Sequence, residues 1–382
     1  MEEHMGWALV NADEGYQFGL GVFETIAVHG GRPALFDEHM RRLARGLRFL
    51  GLDGTGIAEV ETPVIDVRTP EGSILPLATR DEAAAAVRRL AQDGDAEPMR
   101  TLALRAINVA LGRSCASISV KAAGDTSGTA SGNASTVTSD DANHGGNHRA
   151  ANASSTAKTM RSGESNTHMD NAVGNSTAAR PASASPTPSY ALKIMVSDAN
   201  LAFAMRANPY DGRDPNQAMR LIVADVRRNE TSPLTWHKTF SQGDNILTTR
   251  AAKKRGFDGA LLLNTRGEVA ETTVANIFFA RRTDAPDLSG VRMVTPAHGC
   301  GLLPGTVRAW VMSDDVRRYG LAVTEARLTL DDLAGYDECF VTNALMGVRP
   351  VTSIEIPERG TLAFPRHGVV RALREQYARF TR

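Results

Sequence analysis

Residues 236–280 read WHKTFSQGDNILTTRAAKKRGFDGALLLNTRGEVAETTVANIFFA. The stretch places a lysine, Lys238, at the mouth of an expected helix, and a carboxylate, Glu271, inside an expected strand. Between them Gly256 suits a helix C-terminal stop, where a left-handed residue is cheapest. GALLLN (259–264) is short, apolar and strand-like. NTRGE (264–268) is a hairpin turn with Gly267 at positive φ. EVAETTVANIFFA (268–280) is then one continuous return strand, with Val269, Glu271 and Thr273 sharing a face by the period of two. A carboxylate in so apolar a hairpin must meet a cation or a protonated ring, because burying it unpaired is costly.

Pyridoxal phosphate chemistry needs such a pair. It takes a lysine amine to bond the aldehyde and a carboxylate to keep the ring nitrogen protonated, so that the ring accepts electrons from a substrate α-carbon. A lysine of ordinary pKa, about 10.4, is a poor nucleophile at neutral pH, so a cationic or desolvated setting must lower it. Taken singly, the two residues read more simply as an exposed lysine and a surface glutamate on an edge strand.

The 382 residues carry 43 basic and 43 acidic side chains. That balance gives no electrostatic footing for nucleic acid or an anionic membrane surface. A 42% hydrophobic content supports a core in one or two domains. No apolar run reaches transmembrane length, and MEEHMGWALV has no signal-peptide pattern. Cys115, Cys300 and Cys339 are odd in number and lack C-x-x-C spacing. They read as reduced thiols of a cytoplasmic protein and offer no metal site.

DEGYQFGLGVFETIAVH (13–29) has glycines at 15, 19 and 21, but not in G-x-G-x-x-G spacing, and a strand follows rather than a helix. A phosphate loop is therefore rejected. Gly30-Gly31 marks a hairpin turn, PALF (33–36) a short strand, and Asp37 the N-cap of a helix ending at Gly51. Met40, Leu43, Leu47 and Leu50 form that helix's apolar face. A second helix is expected at 80–92, while TLALRAINVALG (101–112) fits helix or strand. From Gly112 to Ser189 there is no Leu, Phe, Tyr or Trp. Such a segment cannot offset its ordering entropy and reads as a disordered low-complexity insertion, its His144, His148 and His168 solvated. Deleting residues 115–187 is expected to leave the melting temperature nearly unchanged, since loop-closure cost grows slowly with length. A calorimetric drop beyond about 3 °C, the scale of roughly 1 kcal/mol, contradicts this. Strands follow at ALKIMVS (191–197) and LAFAM (201–205), then the linker-like ANPYDGRDPN (207–216) and the strand AMRLIVADVRR (218–228). Pro304-Gly305 precedes a helix whose first N–H groups make an anion site. A strand at LAVTEARL (321–328) and a C-terminal helix, HGVVRALREQYARF (367–380), complete the reading.

GYQFGLGVFET (15–25), HMRRL (39–43), SPLTWHKT (232–239) with Asp244-Asn245, GEVAETTVANIFF (267–279), LLPGTVR (302–308) and DECFVTNALMGVRPV (337–351) occur in this order. Together they resemble the class IV aminotransferase family, the fold-type IV pyridoxal-phosphate enzymes. The resemblance covers nearly everything outside 112–189. It implies an α/β fold with mixed α+β sheets, D-amino-acid aminotransferase-like, in two domains. A small N-terminal domain spans 1–205, interrupted by the insertion at 112–189. A linker spans 206–215, and a larger cofactor-binding domain spans 216–382. The resemblance also implies pyridoxal 5′-phosphate as cofactor, a small-molecule amino substrate, and a homodimer with the site near its interface.

Carried over by position, Lys238 is the lysine that holds the cofactor and serves catalysis, and Glu271 faces the pyridine nitrogen. Arg42 grips the phosphate. Gly305, Thr306 and Val307 fall at the phosphate-binding helix start, and Ala344 joins the cofactor set. Asn343 is a substrate-side residue or, equally, a turn cap. Many members carry threonine where Val307 stands, so a hydroxyl contact is lost unless Thr306 supplies it. Leu20 stands where aspartate is usual. TNALMGVRPV is most similar to the 4-amino-4-deoxychorismate lyases, which release pyruvate and p-aminobenzoate in folate biosynthesis. Branched-chain enzymes usually carry Gly-Thr where Asn343-Ala344 sits. An aminotransferase acting on branched-chain or D-amino acids with 2-oxoglutarate is the alternative. A non-catalytic interaction protein on this scaffold is a further one.

Overall fold

A computed structural model describes residues 12–60, 66–113, 188–281 and 290–381. Apart from its first and last two residues, the expected insertion lies outside the described residues. A first sheet holds β1 (Val22–His29), β2 (Arg32–Pro33), β3 (Asp66–Arg68), β4 (Ile74–Pro76), β5 (Ser189–Val196) and β6 (Leu201–Ala207), in the order β2-β1-β5-β6-β3-β4. Helices α1 (Glu14–Phe18), α2 (Phe36–Leu50), α3 (Thr55–Glu59), α4 (Arg80–Gln92) and α5 (Glu97–Ala110) accompany it. Strand alternation gives β1 two faces. Val22, Ile26 and Val28 enter a core with Leu43 and Leu47 of α2, Val87 of α4 and Ile107 of α5. Phe23 and Thr25, with Lys193 paired to Thr25 on β5, lie on the opposite face.

The ambiguous 101–112 stretch is helical. Met99, Leu102, Ala103, Ala106 and Ile107 are buried at helical spacing against the sheet, which settles what the sequence period left open. α4 occupies its expected residues and starts with a full capping box between Thr79 and Glu82. α2 differs at its start. Leu35, in the left-handed region at φ 51°, is the N-cap, and its carbonyl accepts the His39 N–H at 3.1 Å. The helix thus begins before Asp37, whose carboxylate pairs with Arg100 instead. PALF is a strand no further than Pro33, because pairing with β1 ends there.

The second sheet is built from β7 (Met219–Arg228), β8 (Gly259–Asn264), β9 (Val269–Thr272), β10 (Asn276–Arg281), β11 (Arg292–Pro296), β12 (Ala322–Ala326), β13 (Glu338–Asn343), β14 (Gly347–Ile356) and β15 (Gly360–Ala363). Its order is β12-β11-β10-β13-β14-β7-β8-β9, with β15 on β14. β7 runs parallel to both β8 and β14, whereas β8 and β9 are antiparallel, so the sheet is mixed. Helices α6 (Gly243–Lys254), α7 (Thr306–Val311), α8 (Asp314–Arg317) and α9 (Gly368–Phe380) belong to this half. No described helix is long and apolar enough to cross a membrane.

The return strand after Gly267 is not continuous. It breaks at 273–275, where the Ala275 carbonyl accepts both the N–H and the hydroxyl of Thr272 at 2.8 Å. The β8–β9 register also slips: Leu262 faces Glu271, but Leu263 faces Val269. Two residues on β9 thus span one step of β8, a bulge centred on Ala270. The bulge overturns the expected shared face. Val269 enters the core with Leu261 and Leu263, while Glu271 turns to the other side.

Candidate active site

Lys238 lies five residues before α6, not at its mouth. After the single 3-10 turn Pro233–Trp236 the chain runs extended and pairs with the entrance of β1. Thr239 bridges Val22, Lys238 O accepts the Phe23 N–H at 2.9 Å, and Gly21 O accepts the Phe240 N–H at 2.9 Å. A Cβ on Gly21 would overlap the Phe240 ring, so this close approach requires glycine. The half-buried Lys238 places Nζ 4.4 Å from the Phe23 ring centroid. Among the described residues no carboxylate forms an ion pair with it. Burial, helped by the nearby Arg42 charge, lowers its pKa to about 8 against the opposing pull of Glu24 and Glu271. About a tenth of such an amine is unprotonated at pH 7, against a few ten-thousandths for an ordinary lysine.

Arg42 reaches the same region from α2. Its Nε and NH2 donate to the two oxygens of Glu24 at 2.7 and 2.6 Å, and its NH1 donates to Pro304 O at 3.1 Å. Glu24 is fully buried on the core face of β1. Burial alone would raise its pKa, but Arg42 and His39 more than reverse this and hold it at about 2. His39 Nδ1 donates to Glu24 Oε2 at 2.6 Å, and its Nε2 lies 3.3 Å from the Thr306 hydroxyl. Gly305 caps α7, and a Cβ there would overlap Asn276 Oδ1. Val307 is buried among Phe278, Phe340 and Trp310. Of the pair 306–307, Thr306 therefore brings the hydroxyl to the Arg42 side.

Both oxygens of Glu271 are engaged. Arg228 NH2 is 3.0 Å from Oε1, while Asn276 Nδ2 and the Leu303 N–H donate to Oε2 at 3.2 Å each. Arg228 is itself held by Gly301 O at 3.2 Å. Burial pushes Glu271 up to about 7, with Arg228, the Leu303 N–H and Lys238 pulling the other way. An amine, a carboxylate, a clamped guanidinium and a glycine-capped helix start thus meet at one place.

Residues 175–354 match the family model described as Amino-transferase class IV. Over that segment, a little under half of the chain, the protein is similar to the family. A probable branched-chain-amino-acid aminotransferase of Rickettsia bellii is 31% identical over 137 residues, 36% of this chain and 44% of that relative. An aminodeoxychorismate lyase of Vibrio harveyi is 29% identical over 142 residues, 37% of this chain and 49% of the lyase. The matched part of the chain spans less than half the length of either curated relative. The crystal structure of an aminotransferase from Brucella abortus, bound to the cofactor PLP, is 18% identical with a TM-score of 0.52. The match covers 98% of this chain and 94% of that one and shows a shared fold.

In this protein Asn343 caps a turn. Its Oδ1 accepts the N–H groups of Leu345 and Met346 at 3.0 and 2.8 Å, and its Nδ2 donates to Val274 O at 3.2 Å. The side chain is spent on pinning the 343–346 turn, with Ala344 in it, to the break after β9. Four functional candidates had escaped the sequence reading: Glu24, His39, Lys193 and Arg228. Glu24 carried a usable signal, since the period of two in VFETIAV puts it on the same face as Val22 and Ile26, where a charge demands partners. His39 and Arg42, three apart on α2, are those partners. Lys193 and Arg228 gave no local signal; the pairing of distant strands places them.

Proposed function

We propose that this protein is a class IV aminotransferase family member that binds pyridoxal 5′-phosphate and acts as a 4-amino-4-deoxychorismate lyase. The observation that carries the cofactor assignment is Lys238. It is a desolvated amine with no ion pair among the described residues, beside Phe23, and close enough to Glu271 and to Arg42 for both charges to act on it. These residues fit the group. Arg42 and the α7 start, Gly305 with Thr306, suit a phosphate. Glu271, fixed by Arg228, Asn276 and the Leu303 N–H, suits a pyridine N–H. When bound, the cofactor supplies an electron sink for charge developing at the substrate α-carbon. Lys238 would hold the group through its aldehyde, and its free amine would take the substrate α-proton at Nζ. Glu271 would hold the proton on the ring nitrogen.

The substrate side rests on the wall beside Phe23. Lys193 Nζ lies 4.8 Å from the same ring, and Arg206 is on the same face of the neighbouring strand β6. Two cations there suit a substrate that presents more than one carboxylate, wherever these sit relative to the amine-bearing carbon. 4-Amino-4-deoxychorismate carries two carboxylates, while a branched aliphatic side chain gains nothing from such a wall. An aminotransferase using 2-oxoglutarate, itself a dicarboxylate, is the second reading, and the name of the Rickettsia bellii relative supports it. The decisive assay supplies 4-amino-4-deoxychorismate and measures pyruvate and p-aminobenzoate. A parallel reaction supplies branched-chain or D-amino acids with 2-oxoglutarate. Pyruvate and p-aminobenzoate in equal amounts are expected; keto-acid exchange without p-aminobenzoate rejects the lyase.

A further inference from the structure

His39 is 1% exposed on α2, one turn before Arg42. An ionised carboxylate only accepts, so the 2.6 Å contact with Glu24 fixes a hydrogen on Nδ1. Nε2 faces the Thr306 hydroxyl, 3.3 Å away, in one of two states. As a lone pair it accepts a hydrogen bond from the hydroxyl; as an N–H it donates to the hydroxyl oxygen and turns the hydroxyl hydrogen outward. Glu24 also clamps Arg42 through both oxygens, and Arg42 NH1 reaches Pro304 O, two residues before Thr306. One carboxylate therefore sets both the guanidinium and, through the imidazole, the hydroxyl at the start of α7. Val307, next in the chain, is 1% exposed in an apolar core and has no side-chain polar atom to contribute.

We propose that Glu24 and His39 are positioning residues that aim the Thr306 hydroxyl at the phosphate of a bound phosphate monoester, with His39 an imidazolium while the ester is held. This deepens the proposed cofactor reading and rests on it. The charges facing His39 are Glu24 on β1, Arg42 on α2 and Lys238 on the extended segment before α6. Without the ester, burial and the two cations keep the ring neutral although Glu24 favours its charged form. A phosphate dianion adds negative charge on the Thr306 side. The ring then takes one proton from solvent at Nε2, donates that N–H to Thr306 Oγ1, and frees the Thr306 O–H for a phosphate oxygen. No other bond is made or broken.

The test uses 4-deoxypyridoxine 5′-phosphate, which has no aldehyde and cannot bond Lys238, with phosphate-free 4-deoxypyridoxine as control. Titration calorimetry on the full chain compares the wild type with Thr306→Val and Thr306→Ser. Thr306→Val is expected to weaken the phosphate ester about tenfold, the worth of one hydrogen bond to a charged group, and to leave the control unchanged. Thr306→Ser is expected to restore the affinity. Nitrogen-15 spectra of the His39 ring follow its state directly and need no variant at the buried His39. They are expected to change from the neutral to the imidazolium pattern when the wild type binds the ester. A Thr306→Val that weakens both ligands alike, or neither, overturns the proposal, as does a ring that stays neutral in the wild-type complex. A wild type that binds the ester no more tightly than the control denies the phosphate grip itself, and the cofactor reading falls with it.

Discussion

Lys238→Ala is expected to abolish covalent attachment of pyridoxal phosphate and to lower kcat/KM by at least about a thousandfold, since it removes anchor and base together. The wild-type amine is set apart by its surroundings. It has no counter-ion among the described residues, it lies against an aromatic face, and its pKa is lowered to about 8 by burial and Arg42. Attachment needs the free amine, so its rate in the wild type should climb as pH rises towards about 8 and level off above. A climb that continues towards 10.5 would mean an ordinary, hydrated lysine. Borohydride reduction followed by peptide mass mapping locates the bond. Lys193 offers an internal control, because its Nζ lies 4.8 Å from the same Phe23 ring and its pKa too is lowered by burial. In the wild type the label should fall on the Lys238 peptide alone. Substantial turnover by Lys238→Ala would overturn the mechanism.

The parts of this site that could be read from the chain are those whose signals are local. GALLLN forms a strand over its own six residues, and Gly256 and Gly267 sit at φ 81° and 78° where a helix stop and a tight turn need them. The 80–92 helix announces itself through Thr79 and Glu82. Misreadings arose where distant pairing overrules local pattern. Strict alternation through VAET predicted one face for Val269 and Glu271, yet β8 across the ladder imposes a bulge that separates them. Lys238 was expected at a helix start because a helix does follow. Its extended backbone comes instead from Val22 and Phe23, more than two hundred residues earlier. Arg228 ends a strand whose tail looks like a solvated charge pair, and only the fold brings Glu271 to it. On the Arg42 side only Arg42 was read, although the period of two on β1 and the three-residue step on α2 carry a signal for Glu24 and His39 as well.

Glu24→Ala is expected to destabilise the folded chain by about 3–5 kcal/mol at pH 7, the usual cost of removing one partner from a buried ion pair. The Arg42 guanidinium, only 6% exposed, would keep Pro304 O and lose both carboxylate bonds. His39 would lose its acceptor as well. The effect should depend on pH with a definite sign. Glu24 has a folded pKa of about 2, below its ordinary 4.5, so the folded state holds it ionised where the unfolded chain takes up a proton. Its contribution is therefore complete above about pH 4.5 and is lost as pH falls towards about 2, a change on the order of 3 kcal/mol. Urea unfolding of wild type and variant should show the gap between them narrowing from pH 7 to pH 3; a gap that is constant, or below about 1 kcal/mol at pH 7, would show that the cluster does not bear on stability. Replacing both partners, as in Glu24→Leu with Arg42→Met, should recover much of the loss, because an apolar pair pays no desolvation cost. The same double variant should still fail to hold a phosphate ester. Recovered stability with lost phosphate binding would separate the two duties of the cluster, since an apolar pair can replace the packing but cannot present a cation.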